Sequence, residues 1–195
     1  YDSLMESNEV SLAVAPDISN FKKEVDKSYF EPSQHFIQNT EIAFNEKAIF
    51  VSRENDRPIT ATLSLSRGDS NYQNEMGLFW VDDEAGRVGD LLPSDPGYAS
   101  VALSAERRLL AFSHGSQTVS TEIKGGSYIG SYLIQNSTTE DFLNNNPDNN
   151  LERQPLAFFN FKATNPDNFA HLQTTNNYDN SIDFVWEDLT GGGDQ

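Results

Sequence analysis

The chain has no cysteine in its 195 residues. Disulfides and thiolate metal sites are therefore excluded, and a secreted protein of this size would need another source of rigidity. Basic residues are scarce: 13 Lys and Arg stand against 30 Asp and Glu, a formal net charge of −17. That balance argues against nucleic-acid binding and against adsorption to anionic membranes, and it favours cations as partners. No run of roughly 18 apolar residues is present, so no helix is expected to insert in a membrane. The three histidines, His35, His114 and His171, lack the paired spacing of a zinc site, and no serine occupies a Gly-x-Ser-x-Gly elbow. Carboxylates abound, so residue types alone leave a glycosidase open, but nothing else in the pattern points to catalysis and the chain reads as non-enzymatic. Tyr1 to Glu6 carries no basic stretch before an apolar run and reads as a mature or trimmed end, compatible with secretion to the cell surface.

What the chain does have is rings. Hydrophobic residues are 36% of the sequence, but aromatics are 11%, and large rings build a core from few positions. The length suits one domain with an extension: a domain over residues 41–195, preceded by an N-terminal extension or docking arm over 1–40.

Residues 1–16 are polar around a short apolar island, Val10 to Ala15, and a helical spacing of Ile18, Phe21 and Val25 predicts a short helix to about Lys27. Extended segments follow around Phe36–Ile37, Ile42–Phe44 and Ala48–Ser52. Ile59, Ala61, Leu63 and Leu65 alternate with Thr60, Thr62 and Ser64, the cleanest half-buried strand in the chain. Arg67-Gly68-Asp69 is turn chemistry before the next strand, Met76–Val81, and is too short to signal adhesion by itself. Gly97–Arg108 is the best helix candidate, with Ser94 and Asp95 as capping residues, and Asp95-Pro96 reads as a turn. Thr118–Ile123 and Ser127–Ile134 flank Lys124-Gly125-Gly126 and predict a hairpin. Asn136–Asn150 is an asparagine-rich excursion with one helical turn, read at Asn144–Asn150 as a mobile loop. Leu156–Phe161, Phe169–Thr174 and Ser181–Trp186 complete a series of short strands. The fold expected is an all-β, jelly-roll-like antiparallel β-sandwich with one or two short helices.

The last stretch carries the most information. Ile182, Phe184 and Trp186 alternate with Asp183, Val185 and Glu187, which places the three apolar residues on the core face of a strand. Acids and three consecutive glycines follow. Hard cations take six to eight oxygens at loose geometry, and glycine-rich loops let carbonyls and carboxylates curl around one. Two clusters are therefore candidate calcium ligands: Asp82, Asp83 and Glu84, with Asp90 nearby, and Asp179, Asp183, Glu187, Asp188 and Asp194 with Asn180. Neither has the spacing of an EF-hand loop. Trp80, Trp186, Tyr72 and Tyr178 could form a sugar-stacking platform, although such rings more often belong to the core.

Trp186-Glu187-Asp188-Leu189-Thr190-Gly191-Gly192-Gly193-Asp194 resembles the signature of a bacterial domain of unknown function, family four-one-one-four. A second block is similar to that family's pattern: Asn71-Tyr72-Gln73-Asn74-Glu75-Met76-Gly77-Leu78-Phe79-Trp80-Val81-Asp82-Asp83, then Gly86, Gly89 and Asp95-Pro96-Gly97-Tyr98-Ala99. The resemblance covers roughly residues 45 to 195 and implies a secreted, calcium-associated surface protein. The family's glycine run usually continues into a closing strand, whereas this sequence stops at Gln195. A missing strand is one that a neighbouring copy could donate, from residues such as 1 to 16. The expected function is a secreted or cell-surface calcium-binding structural or adhesion module, with self-assembly into a filament or surface layer in prospect. The alternative is a calcium-dependent, lectin-like module for surface polysaccharide.

Overall fold

A computed structural model describes residues 7–15, 30–32, 43–44, 47–51, 58–68, 72–113, 118–177 and 181–191. Among them every strand pair is antiparallel, and two six-stranded sheets result. The first sheet runs β3 (Ala43–Phe44), β11 (Leu172–Asn176), β12 (Ser181–Glu187), β1 (Ser7–Ala15), β5 (Pro58–Gly68), β8 (Thr118–Lys124). The second runs β2 (Phe30–Pro32), β4 (Ile49–Val51), β9 (Ser127–Ile134), β6 (Glu75–Val81), β7 (Arg108–Ser113), and β10 (Ala157–Phe159) pairs with the far half of β9. The all-β sandwich expected from the sequence is the fold observed.

Alternation decides what each strand buries. Ile59, Ala61 and Leu63 of β5 and Ile182, Phe184 and Trp186 of β12 face inward, where they meet Met76, Leu78, Ile129 and Leu133 of the second sheet in one core. Each such large side chain contributes about 1.5–3 kcal/mol on burial. The second sheet is covered on its other face as well. Phe79, Val81, Tyr132, Ile134 and Phe159 pack there against Tyr98 and Ala102 of α1 (Tyr98–Ala102) and Phe142 of α2 (Thr139–Asn145). Burial on both faces explains why β6 reads as a nearly continuous apolar run instead of alternating.

Several expectations change. The predicted hairpin is not one: β8 pairs with β5 in the first sheet and β9 with β4 and β6 in the second. Lys124-Gly125-Gly126 therefore carries the chain between sheets, with Gly126 at φ 77° and its N–H donating to the Val51 carbonyl at 2.8 Å. The helix expected over Gly97–Arg108 stops at Ala102, because the amides of Arg107 and Arg108 fold back onto the Ser104 carbonyl and Arg108 enters β7. Its N-cap is Gly97, at φ 83° with no side-chain cap. Asp95 instead accepts from the Leu92 amide at 2.8 Å, which makes the turn expected there. The apolar island before Pro16 is strand β1, seated between β5 and β12, and Phe30–Pro32 pairs with β4, so residues 1–40 supply a strand to each sheet. The first sheet is thus filled by the chain's own β1, with no neighbour needed. The helix predicted to about Lys27 and Asp69 of the Arg-Gly-Asp turn lie outside the described residues.

The asparagine-rich excursion is fixed in place. Asn149, at φ 51°, accepts from the Ala157 amide through Oδ1 at 3.0 Å and donates to the Ala157 carbonyl through Nδ2 at 2.7 Å. Asn165 does the same to Phe159, at 2.7 and 3.1 Å. Two side-chain amides therefore stand where a neighbouring strand would run along β10. Asn146, fully buried, donates to the carbonyls of Asn150 and Pro155 at 3.0 Å. The reading of Asn144–Asn150 as mobile is corrected accordingly: hydrogen-bonded, buried amides hold it.

Candidate functional site

The two acidic clusters are built differently. Asp82 to Glu84 follow β6 in a loop that turns at Gly86 (φ 86°) and Gly89 (φ 60°). Tyr98, buried beneath, donates its hydroxyl to the Gly86 carbonyl. Asp82 accepts the Gly89 amide at 2.7 Å and the Arg107 guanidinium on both oxygens, with Nη2 at 3.0 Å. That side-chain hydrogen bond from Arg107 holds the Asp82 carboxyl below the usual carboxylate range, outweighing the upward push of burial, with help from the Gly89 amide. Asp83 accepts from the Arg87 amide at 3.1 Å and pairs with its Nε at 3.4 Å, and Glu84 pairs with Lys47 at 2.8 Å. Each of the three acids thus has a basic partner of its own. Asp90 is exposed.

The second cluster surrounds β12. Asp183 accepts from Asn177 Nδ2 at 3.0 Å near the start of the strand. Glu187 closes the strand and accepts the Leu189 amide at 3.0 Å. Both stand on the outer face, four residues apart, a separation of about 13 Å in a strand. One calcium ion binds oxygens at 2.3–2.6 Å and cannot reach both. Asp188 turns the other way. It is fully buried, and its Oδ2 accepts from Asn74 Nδ2 at 2.7 Å. Asp179 and Asp194 lie outside the described residues. Among the described residues no group of three or more His, Asp or Glu side chains converges in a way that could hold a metal ion.

Around the turn Asp188–Gly191 the fold is unusually well tied. Gln135 donates to the Asp188 carbonyl, and the Asn136 amide donates to Asn74 Oδ1 at 2.8 Å. The Gly191 amide donates to Asp167 Oδ2 at 2.8 Å. His171, with its side chain fully buried, places Nδ1 2.8 Å from the Glu187 carbonyl and Nε2 3.0 Å from Asp167, and stacks on Phe158 at 3.9 Å between centroids. Burial pushes the Asp167 carboxyl up, but the amides of Gly191 and Phe169 and the His171 ring outweigh it, and the group ends below the usual range. Asp167, Asn74 and Gln135 were not picked out by sequence reasoning, and His171 stood out only as lacking the spacing of a zinc site, inside the strand expected over Phe169–Thr174. Only Asn74 had a signal, its place in the Tyr72-Gln73-Asn74 block. Trp186 is 2% exposed, so its ring belongs to the core and offers no face to a sugar, and Trp80 is partly buried against the same core. Among the described residues of this region, Phe169 is an exposed ring, at 48%.

These features define an all-β sandwich module whose most elaborate polar construction anchors its acidic, glycine-rich turn. Residues 123–195 match the family described as "Domain of unknown function (DUF4114)". The resemblance read from the signature around Glu187-Asp188-Leu189 holds at the family level over that segment, while the block at 71–99 lies before it. No curated protein and no solved structure matches the chain.

Proposed function

We propose that the chain is a non-catalytic structural or adhesion module of the cell exterior, stabilised by calcium at the turn that follows β12. The observation that carries this reading is the anchoring of that turn. Glu187 N–H donates to the His171 carbonyl at 2.8 Å, Gly191 is held by Asp167, and Asp188 is held by Asn74. The described part of the loop, fixed at three points, offers carbonyl and carboxylate oxygens with little ordering left to do, and Gly192, Gly193 and Asp194 follow it in sequence. Glu187 and Asp194 are the side chains assigned to the ion. Asp183 stands near the opposite end of β12, Asp179 lies outside the described residues, and Asp82, Asp83 and Glu84 pair with Arg107, Arg87 and Lys47.

Thermal unfolding of the metal-stripped chain, with and without millimolar calcium and with magnesium as control, tests this. Calcium at a hundredfold excess over its Kd stabilises the folded state by about 2.7 kcal/mol. The expected result is a calcium-specific rise in Tm that Glu187→Gln and Asp194→Asn each diminish. Equal melting with calcium and magnesium would remove the calcium part of the proposal.

A further inference from the structure

We infer that the slot between β5 and β12 also accepts residues 7–15 from a second copy of this chain, joining copies by exchange of β1. The inference concerns assembly and does not depend on calcium.

The slot is defined by what fills it. β1 pairs with β12 from Ser7 to Ala13 and with β5 from Asn8 to Ala15, so both of its edges are laddered. Among the described residues it is the sole link, within the first sheet, between the pair β5–β8 and the trio β12–β11–β3. Without it two long edges would face each other unpaired, an arrangement that recruits extended segments.

The slot is also selective. Leu12 stands opposite both Leu63 and Ile182, Val10 opposite Leu65 and Phe184, and Val14 opposite Ala61. Residues directly opposite share a face of the sheet, and Leu63, Ala61, Ile182 and Phe184 belong to the buried core. A segment in the slot therefore needs apolar residues at every second position, and a slip by one residue would turn them all away from the core. Residues 7–15 meet that requirement, and every copy carries them.

Chemically the ladder is the same whether β1 comes from its own copy or from another. Residues 16–29 join β1 to β2, and this tether alone distinguishes the two cases. It gives the resident strand an effective concentration of the order of millimolar. Dilute chains keep their own strand, whereas chains crowded to comparable concentrations exchange it, closing into dimers if exchange is mutual and extending into a row if it is not.

The absence of cysteine makes the test direct. Ala13 and Thr62 are register partners across β1 and β5, whereas Glu122 lies one strand further away, on β8. Full-length Ala13→Cys and Thr62→Cys chains are mixed, unfolded, refolded together and oxidised, at about 10 µM and about 1 mM. Exchange predicts a disulfide-linked heterodimer at the higher concentration, reduced at least tenfold at the lower, and none from Ala13→Cys mixed with Glu122→Cys. A single chain carrying both Ala13→Cys and Thr62→Cys should close its own bridge when dilute. If that bridge closes but no heterodimer forms at the higher concentration, exchange does not occur. If the bridge fails to close, or the Glu122 control links equally well, the register or its selectivity is wrong, and the inference falls.

Discussion

Nδ2 of Asn74 lies 2.7 Å from Oδ2 of Asp188, across 114 residues of chain and inside the protein, where Asp188 has no exposed surface. The contact ties the entry of β6 to the exit of β12. Through Asn74 Oδ1 and the Asn136 amide, it also ties both to the end of β9. Removing one partner leaves the other buried without that bond, so Asn74→Ala should cost roughly 2–3 kcal/mol. Asn74→Asp should cost more, since it sets a second carboxyl against the first. Urea unfolding of both variants checks the order. Equal stability of wild type and Asn74→Ala would show that the link carries no energy.

The surrogate strand along β10 makes a different kind of prediction. Asn149 and Asn165 each present a donor and an acceptor to one backbone residue, Ala157 and Phe159 respectively. Asparagine is the shortest side chain that carries a donor and an acceptor on separate atoms. Alanine at either position strands a backbone N–H and C=O and should cost about 1–3 kcal/mol. Aspartate keeps the acceptor only and should rescue little. Amide hydrogen exchange at Ala157 and Phe159 should quicken in the matching variant, with Phe159 unaffected by Asn149→Ala.

Why the alternating strands could be read in advance, and the rest could not, follows from the distance over which each signal acts. Ile182, Phe184 and Trp186, like Ile59, Ala61 and Leu63, reveal their face through a period of two that needs no partner. The hairpin expectation at Lys124-Gly125-Gly126 failed because a turn signal says that the chain reverses, not which sheet the next strand joins. Asp188 looked like one acid among several. Its burial comes from Asn74, and nothing near Asp188 in sequence marks a partner so remote. Asp167 and His171 are close in sequence, but their purpose appears only when Glu187 and Gly191 reach them. Asn144–Asn150 read as a mobile loop, and Asn165 carried no signal, because their role is to bond backbone groups several residues away in sequence, which composition cannot disclose.

Acid should loosen the turn after β12. The Asp167 carboxyl is held below its unfolded value, near 3.9. A group depressed in this way contributes stability that is present above the unfolded pKa and is lost as pH falls through the folded one. The urea midpoint should therefore decline from about pH 4 downward. Asp167→Asn should flatten part of that decline while lowering stability at pH 7. At the alkaline end burial pushes the Tyr132 hydroxyl up to about 12, with Glu75 adding to the rise and Thr139 and Arg108 opposing it. Its contribution is complete below about pH 10 and is lost as pH rises from there to about 12. Tyr132→Phe should remove that alkaline loss.

Two glycines should fail for opposite reasons when replaced. A Cβ on Gly77 would lie 2.5 Å from the Leu110 carbonyl oxygen and 2.6 Å from the Tyr132 ring. That carbonyl belongs to the β6–β7 ladder and cannot swing aside, so Gly77→Ala should cost about 1–3 kcal/mol through overpacking. Gly97 has open space around it but a φ of +83°, so its limit is conformational. Gly97→Ala should cost about 1 kcal/mol, and Gly97→Asn less, because asparagine tolerates the left-handed region. Gly77→Asn, by contrast, should be worse than Gly77→Ala, since the obstacle there is volume. Denaturant unfolding of the four variants separates the two mechanisms, and the same ranking at both sites would refute the assignment.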